Sequence, residues 1–115
     1  MPQALPKPIV EYIEASNSCD GDRLVAAFAE DALVNDSRRE FWGADAIKRW
    51  SLEEIIDDKV AIDVRAVKEH YGDFVVDAVV DEEFDKLYQP YFVNLTHYFR
   101  VSGDKIVSLI IVRNM

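Results

Sequence analysis

The sequence predicts an α+β fold, with helices packed on one face of an antiparallel sheet. Three observations predict it. Apolar residues at helical spacing are confined to the first half of the chain. From residue 60 the apolar period becomes two, and turn signals separate the runs. The final run, KIVSLIIVR, is apolar on both faces and so needs cover on both sides.

Each element follows in order. The opening MPQALPKP holds three of the four prolines and predicts a flexible tail over residues 1–7. Residues 8–18, PIVEYIEASNS, place Ile9, Tyr12, Ile13 and Ser16 on one helical face, with Pro8 suited to the first turn. Asp20 is an N-cap candidate for a second helix, whose buried stripe is Leu24, Val25 and Phe28. A short strand over 32–36 carries Ala32, Leu33 and Val34 and ends on Asp36. Gly43 leads into a third helix with Ala46, Ile47 and Trp50 on one face. Val60, Ile62, Val64 and Ala66 then alternate with Ala61, Asp63, Arg65 and Val67. HYGD marks a tight turn, after which Phe74, Val76, Ala78 and Val80 share a face. Residues 85–90, DKLYQP, predict a longer loop. The next strand runs from about Phe92 to Val101, and SGD turns the chain into its last strand. One domain over 8–115 accounts for these elements. The doubly apolar last strand predicts a homodimer through the sheet, because helices can cover only one side.

Composition narrows the function. The formal net charge is −9, with no cluster of Lys or Arg, which argues against nucleic acid as a partner. No apolar run approaches the roughly 20 residues of a membrane span, and no export signal is visible. A single cysteine, Cys19, cannot form an internal disulfide and fits a reducing cytoplasm. His70 and His97 lack metal-ligand spacing, so no metal is expected.

Three residues are candidates for chemistry. Tyr12, on the apolar stripe of the first helix, is either a core tyrosine or a donor aimed into a cavity. Asp36 is either a turn cap and partner of Arg38 or Arg39, or a general base that gains basicity as it loses hydration. His97 shares a face with Val93, Leu95, Phe99 and Val101, so it faces the core or a cavity, where a neutral imidazole can donate a hydrogen bond or shuttle a proton. Thr96 and Asn94 lie on the opposite face unless a bulge shifts the register. Phe28, Phe41, Trp42, Trp50, Tyr91, Phe92 and Phe99 are core residues or the lining of a pocket for a planar ligand. Glu53–Glu54 and Asp57–Asp58 read as an exposed helix end, and DEEFD at 81–85 as a solvated strand end.

The stretches YIEASNSCDGDRLVAAFAEDALVNDS, WGADAIKRW, VRAV and THYFRVSGDKIVS carry a resemblance. Together they span roughly residues 8–112 and resemble the nuclear transport factor 2-like superfamily, in its SnoaL-like and ketosteroid-isomerase-like branch. The resemblance implies a cone-shaped barrel, a strongly curved and mostly antiparallel sheet wrapped around three helices and a deep pocket. It implies a cofactor-free isomerase, cyclase or dehydratase acting on a small apolar carbonyl compound. An ungapped match to ketosteroid isomerase places Tyr12 on that enzyme's oxyanion-binding tyrosine and Asp36 on its general base. Where that enzyme has a protonated aspartic acid, this chain reads NLTHYFR, which offers His97 or Thr96 as the third group, with His97 favoured by its face. Phe28, Trp42, Trp50, Phe99 and Thr96 are the implied pocket lining. An epoxide-hydrolysing Asp–Arg–Asp relay is disfavoured, because Arg65, Asp63 and Asp77 read as outward. The superfamily also contains non-catalytic ligand-binding and dimerisation modules, so fold alone leaves that alternative open.

Overall fold

A computed structural model describes residues 5–57, 59–81 and 92–113. Among them the order is α1 (Lys7–Asn17), α2 (Gly21–Ala26), β1 (Phe28–Asp36), β2 (Arg39–Trp42), α3 (Gly43–Trp50), a π-helix (Ser51–Ile56), β3 (Ala61–His70), β4 (Asp73–Asp81), β5 (Phe92–Ser102) and β6 (Lys105–Arg113). The strands form one six-stranded sheet in the order β2-β1-β6-β5-β4-β3. Every pairing is antiparallel except β1 with β6, which is parallel. The architecture is the expected α+β one, a curved and mostly antiparallel sheet carrying three helices.

Local chemistry explains the helices. Pro8 sits in the first turn of α1, where a missing N–H is harmless, and Ile9, Tyr12, Ala15 and Ser16 form its buried face. Ser16 Oγ donates to the Val60 carbonyl at 2.6 Å. The Asn17 amide donates to the Ile62 carbonyl at 3.1 Å and accepts from the Ile62 N–H at 2.6 Å. These bonds fix the end of α1 to the start of β3. Asp20 caps α2 by accepting from the Arg23 N–H at 3.2 Å. In α3, Asp45 lies in the first turn and Lys48 and Arg49 in the last, matching the helix dipole at both ends.

The structure corrects several sequence expectations. α2 ends at Ala26, so Phe28 opens β1 and does not extend a helical stripe. The Ile106 N–H donates to the Ala27 carbonyl at 2.8 Å, which draws the chain into the sheet at this point. β1 therefore begins four residues before the strand expected at 32–36. β2 was not expected at all; it folds back on β1, with Asp36 opposite Arg39 and Leu33 opposite Trp42. In β3 a register shift between Val64 and Ala66 turns Val67 toward the core in place of Ala66. Lys7, assigned to the flexible tail, is already helical. The remaining tail residues 1–4, the loop at 85–90, Tyr91, Asp58 and most of the 81–85 acidic run lie outside the described residues.

The core fills the space between the helices and the inner face of the sheet. Ile9, Leu24 and Ile47 from the helices meet Val34, Val76, Val80, Phe99 and Leu109 from the strands. Among the described residues no helix is long and apolar enough to cross a membrane. Cys19 is exposed, in the bend between α1 and α2.

Candidate active site

A cavity of about 240 Å³ opens between α1, β1, the π-helix and the inner faces of β3 to β6. Its apolar wall includes Ile55, Val60, Ile62, Val80, Leu95 and Ile111. Its polar wall is Tyr12, Asp36, Ser37, Arg39, Glu54 and His97. Tyr12 reaches it from the buried face of α1, Asp36 from the end of β1 and His97 from the inward row of β5.

Each polar group has a distinct electrostatic setting. The Tyr12 side chain is fully enclosed, and burial together with the negative charge of Asp36 holds its hydroxyl above the ordinary phenol range. It therefore stays a neutral donor. His97 is 2% exposed, and its Nδ1 has no hydrogen-bond partner among the described residues. Burial pushes its pKa down to about 4, against the opposing pull of a backbone hydrogen bond at Val76 and the charge of Asp77. At neutral pH it is an uncharged imidazole with one unmatched ring nitrogen in the cavity wall.

Asp36 is the least enclosed of the three, with a side chain 20% exposed. Its Oδ2 accepts from Trp50 Nε1 at 3.0 Å and from Arg39 Nη2 at 3.4 Å. Arg39 in turn donates to Glu54 through Nη1 at 2.9 Å and Nη2 at 2.5 Å. The arginine is thus neutralised by two carboxylates, and the polar wall is net negative.

The residues named from sequence as pocket lining divide differently. Phe28, Trp50 and Phe99 lie outside the lining and pack into an aromatic floor around Tyr12. Tyr12 meets Phe28 edge-on at 5.8 Å and Phe99 at 5.6 Å, and Phe28 meets Trp50 at 6.3 Å. Edge-to-face contact among the rings satisfies them better than a solvent-filled gap would. His97 stacks on Phe99 at 5.9 Å from the same side. Trp42 does not line the cavity: it sits between β2 and α3, 64% exposed. Thr96 does not line it either. Its register in β5 turns it to the outer face, where Oγ1 donates to Asp77 Oδ1 at 2.7 Å. Arg65 pairs with Asp63 at 2.9 Å and stays exposed, away from the cavity.

Sequence reasoning missed Arg39 and Glu54 as cavity residues. The sequence suggests Arg39 only as a partner for Asp36 and places Glu54 at an exposed helix end. The spacing of Glu54 four residues after Trp50 was the available signal, since such positions share a helical face. Among the described residues no group of His, Cys, Asp and Glu is arranged to hold a metal ion.

No protein-family model and no curated protein matches this chain. Solved structures do. A candidate polyketide cyclase from Sinorhizobium meliloti superposes with a TM-score of 0.82 at 27% identity, over 94% of this chain and 95% of that one. An NTF2-like protein of unknown function from Cytophaga hutchinsonii gives 0.76 at 13% identity, over 99% and 95%. The chain has the nuclear transport factor 2-like fold. A Catenulispora acidiphila protein with a ketosteroid isomerase-like fold, solved with trimethylamine, gives 0.81 at 18% identity, over 95% and 86%. Polyketide cyclase and ketosteroid isomerase-like structures are thus among the neighbours of this chain.

Proposed function

We propose that this protein catalyses proton transfer on a small, uncharged carbonyl compound, of the isomerase, cyclase or dehydratase type. The observation that carries the reading is the meeting of Tyr12, Asp36 and His97 on the walls of one cavity. In this scheme the substrate oxygen accepts a hydrogen bond from the Tyr12 hydroxyl. The Asp36 carboxylate removes a proton from the carbon beside the carbonyl. The electron pair moves onto the oxygen, where the phenol stabilises the enolate, and the unmatched nitrogen of neutral His97 accepts a hydrogen bond from a substrate hydroxyl. Protonated Asp36 then returns the proton to another carbon, or assists loss or attack of a neighbouring group. In isomerisation the net change moves one proton between carbons; in dehydration protonated Asp36 gives the proton to the departing hydroxyl, which leaves as water; in cyclisation the enolate carbon attacks a second carbonyl, whose oxygen takes the proton.

The cavity supports a modest ligand. An apolar cavity of about 150 Å³ accommodates benzene, and this one measures about 240 Å³. One substituted ring fits that scale. The net negative wall disfavours anionic substrates, because Arg39 already faces two carboxylates. The trimethylamine complex of the Catenulispora neighbour supports small-molecule occupancy of such a fold.

The test uses 3-cyclohexen-1-one, a single-ring ketone whose isomerisation to the conjugated 2-cyclohexen-1-one is followed by ultraviolet absorbance. The wild-type protein should accelerate the conversion, and Asp36→Asn should lose the acceleration, by about 100-fold or more. Equal rates for the two proteins would leave the second reading, a non-catalytic module that binds a small ligand or a second copy. A specific observation favours the self-association part of that reading. Tyr98, Ile110 and Val112 form an exposed apolar patch on the outer sheet face, each at least 40% accessible.

A further inference from the structure

We propose that Trp50 is a positioning residue for Asp36, fixing its carboxylate so that Oδ1 is the oxygen that exchanges the proton. The proposal rests on the proton-transfer reading above. Both hydrogen bonds to this side chain land on the same atom: Trp50 Nε1 at 3.0 Å and Arg39 Nη2 at 3.4 Å both donate to Oδ2. Among the described residues no hydrogen bond reaches Oδ1. The outer torsion of an aspartate is soft and roughly two-fold, so an unheld carboxylate rotates freely. Two donors on one oxygen remove that freedom and leave the other oxygen available to a substrate.

The clamp is itself rigidly mounted. The Trp50 indole is 1% exposed, edge-on to Phe28 and tilted on Phe41 at 6.1 Å. Arg39 is held by two bonds to Glu54. Trp50 and Glu54 come from one stretch of chain, the junction where α3 widens into the π-helix. There the Asp57 N–H bonds the Leu52 carbonyl at 3.0 Å, five residues back. Wide turns of this kind concentrate at functional sites. The π-helix thus supplies Glu54, which steadies Arg39, immediately after α3 supplies the indole. The plain alternative is that a buried indole N–H simply needs an acceptor. That alternative makes no demand on turnover.

One measurement tests the hydrogen bond that both readings require, and a second, on turnover, separates them. The chain has two tryptophans, so the side-chain N–H resonance of exposed Trp42 serves as an internal control in ¹⁵N-labelled protein. Asp36→Asn should move the Trp50 indole resonance and leave that of Trp42 in place. Trp50→Phe keeps an aromatic ring against Phe28 and Phe41 but deletes the donor. It should lower kcat for 3-cyclohexen-1-one isomerisation by about 100-fold with KM nearly unchanged, the pattern of a misaligned reacting group. Glu54→Gln loosens the Arg39 half of the clamp without touching the aromatic floor. It should lower kcat by about tenfold, and it keeps the idea testable if Trp50→Phe fails to fold. A folded Trp50→Phe protein with wild-type kcat, or a Trp50 resonance indifferent to Asp36→Asn, overturns the proposal. If Asp36→Asn abolishes turnover while Trp50→Phe does not, the positioning role alone has failed. If the wild-type and Asp36→Asn proteins are equally inert, the catalytic reading has failed and the positioning role goes with it.

Discussion

His97 is held uncharged because the sheet and helices exclude water from it, and that has a measurable consequence. An unfolded chain protonates this imidazole near the ordinary value of 6.5, whereas the folded chain resists until about pH 4. Between those values the unfolded state binds more protons, so stability present above pH 6.5 is lost as the pH falls toward 4. The contribution is on the order of 3 kcal/mol, since each pKa unit is worth about 1.4 kcal/mol. His97→Phe removes the titrating group. Urea unfolding at about pH 7 and about pH 4.5 should show a smaller acid-induced loss for the variant than for the wild type. An identical loss in both would place the acid sensitivity elsewhere. At this scale much was legible in the sequence. The alternation of β5 puts His97 in an apolar row and Thr96 on the other face. Of the partners of Asp36, Arg39 is legible as a near neighbour in the sequence, whereas Trp50 is not, because it reaches Asp36 from α3.

The β1–β2 hairpin decides what stands beside Asp36. Its two-residue turn, Ser37–Arg38, has φ of 53° and 76°. Such turns want left-handed residues at both positions and are ordinarily signalled by Asn-Gly or Asp-Gly. Ser-Arg gives no such signal, so β2 was invisible in the sequence. The turn is supported by Asn35, whose Oδ1 accepts from the Arg38 N–H at 2.9 Å. It sets Arg39 opposite Asp36 and so builds the clamp. Left-handed backbone costs a non-glycine residue about 1–2 kcal/mol, part of which glycine forfeits through its looser unfolded state. Arg38→Gly should therefore stabilise the fold by a net of about 0.5 kcal/mol in denaturant titration. A loss of stability would mean that the Arg38 side chain contributes more than the strain. The π-helix was equally hidden, since SLEEII differs little in pattern from the helix before it.

Across the whole molecule, β6 is the strand with most to bury. Ile106, Leu109 and Ile111 face the core, while Ile110 and Val112 face outward. Tyr98 lies directly opposite Ile110, and Val112 opposite Thr96, so the outward apolar groups adjoin across two strands. A soluble surface rarely keeps such a contiguous patch bare. The proposed homodimer places a second copy there. Sedimentation of the wild-type protein should give a dimer, and Ile110→Lys, which puts a charge in the middle of the patch, should give a monomer. A wild-type monomer at all concentrations would remove the dimer and leave the patch for another partner.

The sequence by itself determined the fold class, the inward rows of β4 and β5, and the capped start of α2. Those properties follow from the period of apolar residues and from side chains that bond their own neighbours. Only the tertiary structure decided which aromatic rings fill the floor, that Trp42 is left outside, and that Trp50, Arg39 and Glu54 converge around Asp36. Those arrangements depend on a turn of unusual composition, a widened helical stretch and a parallel strand pairing between distant segments. The turn carries no Asn-Gly or Asp-Gly signal, and the other two are fixed by packing between parts of the chain that are neighbours only once it has folded.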